Sequence, residues 1–567
     1  MLVNNAIQFL NKIRDLRLLK MISTAISLDR RLYSEIKIPK TQVINELTLM
    51  VSGNETSKSK GFHNQHYIAA VVEYYPNLGS NPLQSIQNNL PIYEDIIHNV
   101  SQYDVDILVF PEAGLTGVTL PDDRKEIRPF LTEIPSPESK TIPCFTKYCS
   151  TVLNKLSCAA RLHHMYVVVN LPEIEYCKTE EDDACPEDLA YYYNTNVVFD
   201  REGRIVARYR KFNLFREFGF NHTQPSELCT FDTDFGVRFG MFICFDIMFE
   251  DPAARLIRET GVKDVIYSTA WFSEIPLLTA DSVQAGWAYT NDVNLIASGY
   301  SMPAMSGGGS GIYAGRDGPL VMVMPDRPGT QIIVSRVLKR KFPDSECQSK
   351  KCSIDSSYRT FVSDYLVLPY GKENSAPSSN RPSDLRFFTD NSFRNFYVKT
   401  MRSEDPDADQ DDTLTATFAY ERDGFECAMT VSWRNENNNE TTDYNMFGYS
   451  GTRSFGGFMD AHIETCGLTA YKPAAASAAV VYYDPPKDLV TITAIAITAR
   501  SPDLGTLPIP STLDARSYPL TNDHYTFSKR TVTVGKRKML EVNMELSKPV
   551  ANLITFGIYK LPQPLAR

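Results

Sequence analysis

Along residues 66–340, short and nearly continuous apolar runs alternate with segments of helical periodicity. The run HYIAAVVEYY predicts a buried strand, and residues 81–100 carry apolar residues at helical spacing around Pro91. Later strands are predicted at VDILVF, YVVVN, FGMFIC, VIYSTAW and NLIAS, with helices between most of them. Apolar strands that alternate with helices are typical of layered α/β proteins, so we predict an α/β catalytic domain over residues 63–345.

The pattern changes on either side of this region. Residues 1–62 are polar and helix-prone, and we expect a poorly ordered N-terminal extension. Residues 346–385 are rich in Ser, Pro and Lys, which indicates a linker. Beyond it, runs such as TLTATFAYE, CAMTVSW and LVTITAIAITA indicate strands, and helical patterns are scarce. We therefore predict a smaller β-rich domain over residues 386–567.

Composition restricts the partners of the chain. The 567 residues carry a formal net charge of −10, which weighs against nucleic acid or an anionic membrane as a partner. No stretch of eighteen apolar residues occurs, so we predict no transmembrane segment. A small-molecule substrate remains compatible with all of these features.

The eleven cysteines favour disulfide bonds in an oxidising compartment, with buried free thiols as the alternative. Four pairs are close in sequence: Cys144 and Cys149, Cys177 and Cys185, Cys347 and Cys352, and Cys427 and Cys466. None has the spacing of a zinc site, so we expect no structural metal. Because the total is odd, we predict that Cys244 is free and that the other ten are mostly or wholly bonded.

Four N-x-S/T sequons are candidate glycosylation sites, at Asn54, Asn99, Asn221 and Asn439. Their number is about what the composition alone would give, so they are not evidence for secretion. They become relevant only if the protein is secreted on other grounds.

Three predicted strands end at side chains that could perform catalysis. Glu112 follows DILVFP, Lys211 follows RIVARYR, and Cys244 ends RFGMFIC. Ligands in α/β proteins bind beyond the carboxyl ends of strands, so these three groups could converge. Each also has an ordinary structural interpretation: a surface cap, a member of a basic cluster, and a buried core thiol.

The chemistry of the three groups fits amide hydrolysis. An ammonium and a helix start behind the thiol would favour the thiolate, and Lys211 and the helix predicted at MFEDPAARL could supply both. Glu112 could accept the thiol proton and return a proton to the leaving amine. Lys211 and the backbone N–H of Phe245 could stabilise the oxyanion.

Five motifs together resemble the nitrilase (carbon–nitrogen hydrolase) superfamily: FPEAGLTG, RYRKFNLF, FGMFICFDIMFEDPA, STAW and GSGIYAGRDGP. The phrase CFDIMFEDPA resembles the vanin (pantetheinase) and biotinidase branch. The resemblance implies an αββα sandwich over about residues 66–340, followed by a β-rich base domain. It also implies a catalytic triad of Glu112, Lys211 and Cys244, and no cofactor.

The resemblance further implies a secreted or anchored amidase that releases pantothenate and cysteamine from pantetheine, or biotin from lysine. The sequence ends without a hydrophobic GPI signal, so we expect a soluble secreted form. It begins without a recognisable signal peptide, which leaves the assignment of the N-terminus open. Glu217 is the nearest match to a second glutamate that positions substrate in many nitrilases. Trp271 could line the pocket or pack in the core.

Two other functions stay open on the sequence alone. A related enzyme could be a biotinidase-like amidase or an acyltransferase that shares the acyl-enzyme step. In a different class, the chain could be a non-catalytic extracellular binding protein on a nitrilase scaffold. The retention of Glu112, Lys211 and Cys244 argues against the second of these.

Overall fold

The computed structural model describes residues 65–340, 365–370, 386–390, 393–401, 413–435, 444–457, 459–470, 480–482 and 490–564. The predicted extension at residues 1–62 lies outside these ranges. Within them, the first region contains the helices α1 (Pro82–Val100), α2 (Arg124–Ile127), α3 (Thr151–His163), α4 (Arg255–Thr260) and α5 (Ala280–Asn291). No helix among the described residues is long and apolar enough to cross a membrane.

The strands of the first region are β1 (His66–Glu73), β2 (Ile107–Val109), β3 (Tyr166–Tyr176), β4 (Ala190–Phe199), β5 (Ile205–Arg210), β6 (Cys229–Asp232), β7 (Arg238–Ile243), β8 (Asp264–Thr269), β9 (Glu274–Ile275), β10 (Asn294–Gly299), β11 (Ser310–Ala314), β12 (Pro319–Val323), β13 (Thr330–Leu338) and β14 (Tyr365–Tyr370). They form a seven-stranded sheet of order β14-β13-β1-β2-β3-β4-β5 and a six-stranded sheet of order β12-β11-β10-β8-β7-β6, while β9 joins a third sheet.

Side chains of β1 alternate between two cores, as the pleat of a strand requires. Ala69 and Val71 belong to a core shared with the second sheet, and Ala70 and Val72 belong to a core shared with α1 and α3. Helix α5 packs against the other side of the second sheet through Trp287. This arrangement is the αββα sandwich that was predicted, and the near-continuous apolar strands follow from burial on both faces.

The β-rich region contains β15 (Arg386–Thr389), β16 (Tyr397–Thr400), β17 (Leu414–Arg422), β18 (Phe425–Asn435), β19 (Asn445–Phe455), β20 (Met459–Thr469), β21 (Val480–Tyr482), β22 (Val490–Ser501), β23 (Pro508–Leu513), β24 (Tyr525–Val534), β25 (Arg537–Leu546), β26 (Val550–Ala551) and β27 (Thr555–Pro564). Two antiparallel sheets, β16-β19-β20-β27-β23 and β17-β18-β22-β25-β24, share one apolar core. The predicted β-rich fold of the second region is therefore confirmed.

The predicted linker contributes structure to the first region. Strand β14 lies within residues 346–385 and pairs antiparallel with β13 at the edge of the seven-stranded sheet. Its side chains are mostly half-buried or exposed, because an edge strand is covered on fewer sides. A weak apolar pattern of this kind is hard to recognise between polar flanks.

Candidate active site

The three predicted catalytic residues meet at one edge of the sandwich. Strand β5 runs antiparallel to β4, which runs antiparallel to β3, so β5 ends at the same edge as β2 and β3. Glu112 follows β2 and Lys211 follows β5. Cys244 follows β7 in the facing sheet, and the Ser268 hydroxyl of β8 donates to the Phe110 carbonyl across the two sheets. The shared edge explains why residues far apart in sequence converge.

Lys211 is the centre of the charged cluster. Its Nζ donates to Glu112 Oε1 at 2.6 Å and to Glu217 Oε2 at 2.8 Å. The Lys211 side chain is only 2% exposed, and Glu112 is 4% exposed. Burial opposes the charged amine, but the two carboxylates outweigh it and raise the pKa of Lys211 well above its usual value. The lysine is therefore an ammonium at neutral pH.

Backbone and amide groups fix the position of Glu112. The Ala270 backbone N–H donates to Glu112 Oε2 at 3.0 Å, and Asn194 Nδ2 donates to Glu112 Oε1 at 2.8 Å. Asn194 also donates to Glu217, so one amide joins both carboxylates. Asn194 was not predicted from the sequence, although a polar Asn-Thr-Asn run inside the otherwise apolar strand β4 was a usable signal.

Cys244 occupies a sharp turn at the end of β7. Its φ is 45°, in the left-handed region that side chains other than glycine rarely adopt, and such strain is concentrated at functional sites. A short 3₁₀ helix, Cys244–Met248, starts at this residue. The Tyr267 hydroxyl donates to the Cys244 carbonyl at 3.0 Å and holds the turn in place.

Asp246 ties the cysteine turn to the lysine loop. Its Oδ2 accepts from the Tyr209 hydroxyl at 2.7 Å and from the Ile243 backbone at 3.2 Å, and its Oδ1 accepts from the Asn213 backbone at 2.8 Å. Burial raises the pKa of Asp246 to about 6, although these hydrogen bonds lower it. The bonds place Tyr209 and Asn213, which flank Lys211, against the residues that flank Cys244.

The resting state of the thiol differs from our expectation. We predicted that Lys211 and a helix start would favour the thiolate. Burial and the charge of Glu112 instead raise the pKa of the Cys244 thiol, and Lys211 and the Thr269 hydroxyl only partly oppose them. A kinked helical turn, Glu250–Ala254, does precede α4 (Arg255–Thr260), but neither contributes to the pKa of this thiol. The cysteine is therefore a protonated thiol beside a carboxylate.

An apolar pocket opens in front of Cys244, and its empty volume including the open mouth is about 460 Å³. Trp271 lines it, and the Trp271 indole N–H donates to the Leu278 carbonyl at 2.9 Å. Phe245 lines it as well, whereas Trp287 is fully buried in the core. Glu217 is not a lining residue of this pocket and accepts a hydrogen bond from Lys211 instead. Glu274 and Phe455 in the lining were not predicted, because both belong to segments without a recognisable motif.

The disulfides correct the predicted cysteine pattern. Among the described residues, the bonded pairs are Cys144–Cys158, Cys177–Cys185 and Cys427–Cys466. Cys144 thus pairs with Cys158 of helix α3 rather than with its near neighbour Cys149. Cys149 and Cys229 are free together with Cys244, so the other described cysteines are mostly but not wholly bonded. Cys347 and Cys352 lie outside the described residues.

Two of the four sequons fall in the described part of the chain. Asn99 is half-exposed near the end of α1, where its Nδ2 donates to Asp95 at 3.0 Å. Asn221 uses its Oδ1 to accept from Arg124 and from the Tyr192 backbone, each at 3.0 Å. Asn54 and Asn439 lie outside the described residues. Glycosylation at any of these sites stays a prediction.

Comparison with known proteins agrees with this geometry. The sequence matches the carbon–nitrogen hydrolase family over residues 69–285 and the vanin C-terminal domain over residues 386–563. Vanin-like protein 1 of Drosophila melanogaster is 33% identical over 522 residues, which cover 87% of this chain and 85% of that protein. The chain belongs to the vanin-like family of carbon–nitrogen hydrolases.

Two relatives with named activities match a shorter part of this vanin-like chain. Human biotinidase is 37% identical over 319 residues, which cover 54% of this chain and 58% of the relative. Bovine pantetheinase is 39% identical over 261 residues, which cover 44% of this chain and 50% of the relative. The match to the carbon–nitrogen hydrolase family places the chain in that class of hydrolases.

Proposed function

We propose that this protein is a cysteine amidase that hydrolyses pantetheine to pantothenate and cysteamine through a thioester on Cys244. The observation that carries the proposal is the buried contact of Lys211 with Glu112 and Glu217 beside the Cys244 thiol. A core lysine with two carboxylates has no stabilising advantage over apolar residues. Its presence beside the thiol that lines a pocket supports a catalytic role.

The first step is attack of Cys244 Sγ on the carbonyl carbon of the amide. Because the thiol is protonated at rest, Glu112 accepts its proton as the C–S bond forms. The Lys211 ammonium and the backbone N–H of Phe245 stabilise the oxyanion that develops on the carbonyl oxygen. Lys211 stays charged throughout, since its two carboxylate partners hold its proton.

The second step breaks the carbon–nitrogen bond. Glu112 now carries the proton from the thiol and gives it to the amine nitrogen, because an amide anion is a very poor leaving group. The products of this step are the free amine and a thioester between the acyl group and Cys244. Glu112 is again a carboxylate.

Hydrolysis of the thioester uses the same groups. Glu112 accepts a proton from water as the water oxygen attacks the thioester carbonyl, and Lys211 and Phe245 again stabilise the oxyanion. Collapse of this intermediate releases the carboxylic acid and returns the proton to Cys244 Sγ. The sum of the steps is amide plus water to acid plus amine.

Pantetheine is the proposed substrate because the relatives that match most of the chain are vanin-like proteins. The pocket is walled by Trp271 and by several Phe side chains, which suits a long, partly apolar acyl chain. The match to biotinidase makes biocytin the second candidate substrate. Either substrate would use the same thioester chemistry, as would an acyltransferase in which another nucleophile replaces water.

An extracellular location completes the proposal. The three disulfides of the described residues suit an oxidising compartment, since cytosolic thiols are kept reduced. We propose a soluble secreted protein with no cofactor. The candidate glycosylation sites at Asn99 and Asn221 lie on half-exposed side chains.

The test is turnover of pantetheine and of biocytin by the purified protein, followed as release of cysteamine or lysine. We expect faster release of cysteamine, and we expect Cys244→Ala to leave only background release with folding intact. Cys229→Ala is the matched control, because Cys229 is a free cysteine of β6 outside the pocket lining. More than a few per cent of wild-type activity in Cys244→Ala would refute the thioester mechanism.

A further inference from the structure

The β-rich region forms part of the pocket wall. Phe455, the last residue of β19, lines the pocket. Its ring centroid lies 5.5 Å from that of Phe245, the residue that follows Cys244. A side chain more than 200 residues further along the chain is therefore in contact with the turn of the nucleophile.

The β-rich region also supports the segment 271–278, which forms another part of the wall. Strand β9 in this segment pairs with β15, so the two regions share a sheet. The contacts are Phe388 N to Ser273 O at 2.9 Å, Asp390 N to Ile275 O at 3.0 Å, and Ser511 Oγ to Leu277 O at 2.8 Å. The backbone of this wall is fixed by hydrogen bonds from outside the α/β region.

Arg453 of β19 connects two pocket-lining side chains. Its guanidinium donates to Glu274 Oε2, and it lies over the Phe455 ring at 4.5 Å from the centroid. It also pairs with Asp390 Oδ2 at 2.9 Å. The Arg453 and Asp390 side chains are 3% and 5% exposed, whereas Glu274 is 32% exposed. Arg453 and Asp390 form a buried pair without net charge. Glu274, the second carboxylate on Arg453, lines the pocket.

Glu274 stands alone in an apolar lining. Among the described residues that line the pocket, it is the only one with a charged side chain. Its Oε1 makes no hydrogen bond to a described residue, whereas Oε2 is held by Arg453. Because the Glu274 side chain is 32% exposed, a hydrogen-bond donor on a bound ligand can reach this oxygen.

We propose that Glu274, held by Arg453, is a specificity-determining residue that accepts a hydrogen bond from a hydroxyl or N–H group on the acyl part of the substrate. The proposal rests on the amidase function above. Glu274 and Cys244 line the same pocket, and the acyl group is the part of the substrate that stays bonded to Cys244 between the two steps. The β-rich region thereby takes part in substrate selection.

The test uses two amides of one fluorogenic aromatic amine, with a hydroxylated and an unsubstituted acyl chain of equal length. Hydrogen bonds to charged groups contribute about 1.5–3 kcal/mol, which corresponds to roughly 10- to 150-fold in kcat/KM. We expect Glu274→Ala to lower kcat/KM by that factor for the hydroxylated chain. For the unsubstituted chain we expect a change below about threefold. Glu274→Gln, which keeps an acceptor oxygen, should lie between the two.

A control variant separates selection from stability. Glu464→Gln alters a buried ion pair with Lys560 (2.8 Å) in the same β-rich region but outside the pocket lining, and both amides should react as in the wild type. Equal losses on both acyl chains in Glu274→Ala would show a merely structural wall and overturn the proposal, as would no loss on either. If the wild type hydrolysed neither of the two amides, the amidase function itself would be refuted.

Discussion

Lys211 Nζ lies 2.6 Å from Glu112 Oε1, and both side chains are almost completely buried. A third charge, Glu217, lies 2.8 Å from the same ammonium. Because low-dielectric surroundings strengthen these attractions and penalise any unpaired charge, the cluster depends on all of its members. Removing one partner of a buried ion pair typically costs about 3–5 kcal/mol. The cluster is thus both the proposed catalytic centre and a point at which a substitution should destabilise the fold.

Replacing Lys211 by Ala is expected to abolish most amidase activity. The change removes an oxyanion donor, worth about 10²–10³ in rate, and leaves two buried carboxylates without their cation. Lys211→Arg keeps the charge but not the compact ammonium, so kcat/KM should fall no further in this variant than in Lys211→Ala. The measurement is kcat/KM for pantetheine together with the thermal unfolding temperature.

The matched control for Lys211 is Lys155→Ala. Lys155 pairs with Glu94 at 3.0 Å on the surface of the helices, where an ion pair contributes about 0–1 kcal/mol. Its activity and unfolding temperature should stay near the wild-type values. If Lys211→Ala retained wild-type kcat/KM, the lysine would have no role in the chemistry.

Alkylation of Cys244 should reveal a protonated thiol. Burial and Glu112 raise the pKa of Cys244, so the thiolate fraction keeps increasing through the alkaline range instead of reaching a plateau near neutral pH. We expect the rate of inactivation by iodoacetamide to rise continuously from pH 6 to pH 9, with substrate protecting the enzyme. A plateau near pH 7 would indicate a thiolate–ammonium pair and contradict the proposed role of Glu112 as base.

The free thiols can be counted by labelling without reduction. In denatured, unreduced protein we expect Cys149, Cys229 and Cys244 to react, and Cys144 and Cys158 to appear in one disulfide-linked peptide pair. The measurement is peptide mass spectrometry after alkylation. A peptide linking Cys144 to Cys149 would show that the near neighbours pair instead.

Glu73, at the end of β1, should make stability depend on pH. Its Oε2 accepts from the Ser310 hydroxyl at 2.6 Å and from the Gly309 backbone at 3.1 Å, but burial raises its pKa from 4.5 to about 8. Between these values the folded state binds more protons than the unfolded state, so the free energy of unfolding falls as pH rises. A shift of this size corresponds to about 5 kcal/mol, lost between pH 4.5 and pH 8.

Glu73→Gln removes this titration while keeping the shape of the neutral side chain. We therefore expect the variant to gain stability relative to the wild type as pH rises from 5 to 8, with little difference at pH 5. Urea unfolding at three pH values measures the change. A stability difference that stays constant with pH would show that Glu73 is not protonated in the folded protein.

Local sequence was sufficient for most of the α/β region. The alternation of apolar runs and helical periodicity predicted β1, α1, β3, β7, β8 and β10 close to their observed positions. Pro91 does not break α1, which continues from Pro82 to Val100. In the β-rich region the hairpins β19–β20 and β24–β25 were not predicted. Many of their outward-facing positions are polar, which weakens the apolar pattern, and the pairing within each hairpin is visible only in the structure.

The sequence by itself determined which residues are proposed to be catalytic and the strand ends on which they lie, because both are local properties of the chain. Only the tertiary structure decided that the Cys244 thiol is protonated, that Asn194 joins Glu112 to Glu217, and that Cys144 pairs with Cys158. It also decided that Arg453 and Phe455 reach the pocket from the β-rich region. These features depend on burial and on contacts between segments far apart in sequence. The residues next to a catalytic motif determine neither of these.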